Sequence, residues 1–126
     1  MNKYREAAVL AVELLNNEDS SDPAEAWEKA AKKTFPSSVS LQDKGCPKGA
    51  FLGLCNEGMI EGLAPGRYSK PSKNGEYAVQ AVEILRKNRF LVSQPEMLWK
   101  KIAGTKSQNH QMDVVIGLWE QSLIST

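Results

Sequence analysis

Histidine occurs once in these 126 residues, at position 110, and cysteine twice, at 46 and 55. Two cysteines nine apart and one distant histidine do not make zinc-ligand spacing, so neither a metal nor another cofactor is expected. No stretch approaches the ~20 consecutive apolar residues that a membrane span needs. The opening Met1-Asn-Lys-Tyr-Arg-Glu carries charge where an export signal would carry an apolar segment. A cytoplasmic chain with reduced thiols and no membrane partner is therefore expected. Net charge is only +1, which excludes a bulk electrostatic case for nucleic-acid binding. The glycines at 45, 49, 53, 58, 62 and 66 fit neither a dinucleotide fingerprint nor a phosphate-binding P-loop.

The chain does contain an internal echo. Ala7-Ala-Val-Leu-Ala-Val-Glu-Leu-Leu15 returns as Tyr77-Ala-Val-Gln-Ala-Val-Glu-Ile-Leu85. Pro23, Trp27, Lys29 and Ala31 return as Pro95, Trp99, Lys101 and Ala103. Ala50-Phe-Leu-Gly-Leu-Cys-Asn-Glu-Gly-Met-Ile60 returns as Val114-Val-Ile-Gly-Leu-Trp-Glu-Gln-Ser-Leu-Ile124. The shared order, and the shared Pro and Trp spacing, go beyond the general likeness of apolar helices. Repeated units tend to bury their apolar faces on one another.

Helical signals fill in the same two triplets. Tyr4, Ala7/Ala8, Ala11 and Leu14/Leu15 make one apolar stripe, predicting a helix over 3–16. Asp22-Pro23-Ala24-Glu25 reads as an N-cap, a first-position proline and a capping-box glutamate opening a helix over 23–34. A third helix is expected at 47–57, closed by Gly58. Gly62, Pro65, Gly66, Pro71 and Gly75 punctuate the next stretch as a linker. The second triplet is expected at 75–88, from Pro95 to Gly104, and at 111–123, with a short extended piece near 88–92. The reading is all-α: a six-helix bundle in one domain, 1–126, with pseudo-repeats 1–60 and 75–126 and a linker 61–74. Gly53 and its counterpart Gly117 are expected to let helices 3 and 6 cross closely, a ligand or dimer interface being the alternative.

No residue set forms a catalytic or binding signature, and the function is not legible from these patterns. The leading expectation is a protein-interaction or structural module, homodimeric or bound to a protein partner. A second reading is nucleic-acid or polyanion binding. Residues 61–106 hold nine Lys/Arg against four Asp/Glu. Within them Arg67, Tyr68, Lys70 and Lys73 are the candidate contacts, with the tyrosine stacking on a base. Helix 3 is too apolar to serve as a recognition helix in the major groove. A third reading is a cysteine-dependent enzyme. Cys46 lies at a helix N-terminus between Lys44 and Lys48, where a thiolate is favoured, and the repeat aligns it with His110, the one available base.

The stretch Cys46-Pro-Lys-Gly-Ala-Phe-Leu-Gly-Leu-Cys55, with Pro65-Gly-Arg-Tyr68 and Asn74-Gly-Glu-Tyr-Ala78, resembles a small family of uncharacterised bacterial proteins over nearly the whole chain. That resemblance implies a bacterial, cytoplasmic setting and carries over no functional residue.

Overall fold

A computed structural model describes residues 2–125. Six helices of nine residues or more account for the fold: α1 (Lys3–Asn16), α2 (Pro23–Thr34), α3 (Gly45–Asn56), α4 (Lys73–Lys87), α5 (Pro95–Ala103) and α6 (Gln111–Glu120). Among the described residues there is no strand, only an isolated antiparallel bridge between Ile60 and Ile124. The all-α expectation therefore holds.

Local chemistry sets most of the helix boundaries. Asn2 caps α1 through a 2.8 Å bond from the Tyr4 amide, and Asp22 caps α2 with Pro23 in its first turn. The expected capping box is only half made. Glu25 donates its amide to Asp22, but its carboxylate turns to the Ser20 hydroxyl at 2.9 Å and to Lys29 at 3.2 Å. Those two bonds hold the Glu25 carboxyl below its ordinary range, the serine contributing most. Helix α4 begins two residues earlier than the glycine suggested, because the Ser72 hydroxyl caps the Gly75 amide at 3.1 Å. Residues Arg89–Ser93 form a 3-10 turn rather than an extended piece, since the Asn88 side chain accepts from the Phe90 amide and starts it. Val39–Gln42 likewise forms one helical turn inside the expected loop, capped by Ser38. Helix α6 stops at Glu120. The chain then turns through Ser122, at φ 59°, to bring Ile124 into its bridge.

One core joins all six helices, with Trp27, Phe51, Leu54, Leu85, Leu98, Met112 and Ile116 fully buried. α1 packs on α2 and α6, while α3 packs mainly on α4. The two glycines act at these crossings, not between α3 and α6 as expected. A Cβ on Gly53 would stand 2.2 Å from the Gly75 Cα of α4, and one on Gly117 would stand 2.8 Å from the Arg5 Cα of α1. Helices α3 and α6 do touch, and beyond their ends the two segments exchange bonds. The Glu61 amide donates to the Leu123 carbonyl and the Ser125 amide to the Met59 carbonyl, both at 2.9 Å. Both tryptophans are buried, but their aromatic partners differ: Phe51 lies 5.4 Å from Trp27, and Tyr77 lies 5.0 Å from Trp99.

Candidate functional site

A cavity of about 590 Å³ lies where the linker passes over the α3–α4 crossing. Its floor exists because Gly53 and Gly75 meet without side chains. Its roof is residues 66–72, and a single side chain fastens that strap. Asn56 Oδ1 accepts from the Tyr68 amide at 2.8 Å, while Nδ2 donates to the Ser69 hydroxyl and carbonyl at 3.0 and 3.2 Å. Nothing in the local sequence marks Asn56, so sequence reasoning passes over it. An amide side chain is significant here only because the chain returns to it twelve residues later.

Of the four basic-region candidates, Arg67 and Lys70 line this cavity, and Glu57 and Glu76 line it too. Lys73 sits at the start of α4, 3.8 Å from Glu76, and does not line it. Tyr68 is a strap residue. Its hydroxyl donates to the Ala64 carbonyl at 2.6 Å, and its ring packs against the core cluster. Elsewhere in 61–106, Arg86 donates to the Ser125 carbonyl, and Lys106 reaches the Tyr77 hydroxyl. Two cations of the basic region thus line one cleft.

His110 caps α6 in the left-handed region, φ 69°. Its Nδ1 is 2.8 Å from Asp113 Oδ2, and its ring lies 4.6 Å from that of Tyr4. Cys46 is half-buried in the first turn of α3, and among the described residues no hydrogen bond joins it to His110. Cys55 is core: burial, and secondarily the charge of Asp22, push its thiol far up from the ordinary value. A second, polar cavity of about 410 Å³ lies beside His110, lined also by Asp113, Glu96, Gln108, Ser107 and Pro95. The described residues contain no group of three or more His, Cys, Asp or Glu placed to hold a metal ion. No helix among them is long and apolar enough to cross a membrane.

No match was found among the curated proteins or among the solved structures. A family model does match, over residues 1–125, and by that match the chain belongs to a family of unknown function, DUF6979.

Proposed function

We propose that this protein is a ligand-binding module whose site is the cleft roofed by residues 66–72, and that the ligand is a small polar anion. The observation that carries the reading is the convergence of Arg67 and Lys70 on one cavity of about 590 Å³, beside the amino end of a fifteen-residue helix. Glu57 and Glu76, which also line the cavity, favour a ligand that also carries donors, such as a hydroxyl or an amine.

The internal repeat supports the same reading. In its register Arg5 corresponds to Gly75, and Glu120 to Asn56. In one half the Arg5 guanidinium fills the groove, spanning Asp113 at 3.3 Å and Glu120 at 3.2 Å. In the other half Gly75 stands where the arginine would, packed on Gly53, and the asparagine holds a strap beside it. We read the two triplets, 1–60 and 75–126, as related by a pseudo-twofold. The Ile60–Ile124 bridge, which pairs equivalent residues, supports that arrangement.

The test is an amide NMR titration at low salt with inorganic phosphate, a nucleoside monophosphate and a short single-stranded oligonucleotide. Shifts confined to residues 66–76 with the small anions, abolished by R67A/K70A, are expected. An absence of shifts there with all three probes overturns the cleft. A response to the oligonucleotide alone, with a steep salt dependence, would instead favour a polyanion surface.

A protein partner is the second reading, favoured by Phe90 at 81% and Met97 at 50% exposure on consecutive short helical segments. Such side chains are usual where another surface docks, although isolated ones also occur on monomers. The cysteine-dependent reading retains a half-buried thiol at a helix N-terminus, with no base bonded to it among the described residues.

A further inference from the structure

The chain's one imidazole is held on three sides. Asp113 engages Nδ1 at 2.8 Å, and the Tyr4 ring covers a face at 4.6 Å. The backbone at residue 110 sits in a left-handed conformation that few side chains adopt, although histidine tolerates it better than most. Asp113 is itself fixed. Its Oδ1 accepts from Arg5 Nε at 3.3 Å, and the same guanidinium reaches Glu120 at 3.2 Å. The Asp113 side chain is 16% exposed and that of His110 is 39% exposed. The orienting carboxylate is thus largely withdrawn while the imidazole stays open to the polar cavity.

A carboxylate on Nδ1 selects the tautomer with its proton there, which leaves the basic lone pair on Nε2. A carboxylate in that place also stabilises the imidazolium formed when Nε2 takes a proton. We infer that His110 is a proton-accepting site for a small neutral or cationic hydroxyl compound, with Asp113 as its positioning residue. The proton would pass from the substrate oxygen to Nε2, and the positive charge would be shared with Asp113. The substrate class follows from the walls: Glu96 and Asp113 are acidic, no lysine or arginine lines the cavity, and an anion would be repelled. Gln108, whose side chain donates to Glu96 at 2.8 Å, holds that acidic wall in place. The site is separate from the strap cleft, shares no lining residue with it and requires no cysteine.

Because the chain has one histidine, its tautomer can be read directly by two-bond proton–nitrogen correlation on the whole protein at alkaline pH. The Nδ1–H form is expected in the native protein, with D113N moving the population towards Nε2–H, the preference of free imidazole. A native Nε2–H form overturns the proposal. The second readout is acyl transfer from p-nitrophenyl acetate. Nε2 takes a proton from water as the water oxygen attacks the acyl carbon, and the ester C–O bond breaks with release of p-nitrophenolate and acetic acid. A rate per histidine roughly tenfold above free imidazole is expected, lost in H110Q and several-fold lower in D113N. A rate equal to free imidazole overturns it. Should D113N not fold, the exposed Glu96 keeps the charge argument testable. The native protein should prefer the neutral ester over an anionic hemisuccinate ester, and E96Q should narrow that preference; no preference in the native protein overturns the substrate class.

Discussion

The two buried tryptophans differ in one atom's surroundings, and that difference has a measurable consequence. Trp99 Nε1 donates to the Lys106 carbonyl at 2.6 Å, a bond made because α5 ends at Gly104 and the chain folds back. Helix α2 continues to Thr34, and Trp27 Nε1 is buried with no hydrogen-bond partner among the described residues. Both residues lose similar packing on truncation to phenylalanine, but only Trp99→Phe gives up a hydrogen bond. Trp99→Phe should therefore cost about 1 kcal/mol more than Trp27→Phe in chemical denaturation. Tyr4 offers a second residue-scale test. Burial raises its phenol above 10.0, and its hydroxyl donates to the Leu41 carbonyl at 2.9 Å. A raised folded value means that the associated stability is complete below pH 10 and is lost as pH climbs through the folded value. Tyr4→Phe should remove that alkaline fall from a stability–pH curve, at a cost of about 1 kcal/mol near neutrality.

At the scale of helices, the bundle depends on how closely two pairs of axes approach. Gly53 of α3 and Gly75 of α4 meet backbone to backbone, so a methyl group at 53 has no flexible neighbour to displace. Gly53→Ala should cost about 3 kcal/mol, the upper part of the usual overpacking range, and should disturb the cleft floor. Gly45→Ala is the matched control. It lies in the first turn of the same helix with nothing within 4 Å of the added methyl, and it should be neutral or stabilising by about 0.5 kcal/mol. Thermal melts of both variants decide the point. Equal shifts in the two variants would mean that the close approach at residue 53 does not set the cost of a side chain there.

For the molecule as a whole, packing runs between the triplets as well as within them. α3 packs on α4, α6 packs on α1, and the Ile60–Ile124 bridge joins the ends. Separation would strip α3 of α4 and α6 of α1, on helices whose Ala50, Leu54, Val114 and Leu118 are all fully buried in the intact chain. Fragments 1–60 and 61–126 should each show little helix by circular dichroism and regain it on mixing. A fragment that is fully helical and melts cooperatively by itself would show that the triplets are independent folding units.

Much of this fold is written in local signals. Apolar stripes, Asp22-Pro23, Gly58 and Gly104 mark helices and their ends wherever the controlling chemistry lies within one turn of the residue concerned. Ser72 and Asn88 carry no such mark, because serine and asparagine suit caps, turns and loops alike and only the backbone geometry selects among these roles. The candidate sites divide along the same line. Arg67, Lys70 and His110 could be named from composition and register. Tertiary structure alone decided that two cations share a cleft, that Asn56 fastens its roof, and that the local His110–Asp113 pair meets Arg5 and Tyr4. The reason is distance along the chain. A cap spans three residues, whereas Arg5 reaches Asp113 across 108, and no local periodicity records a contact of that length.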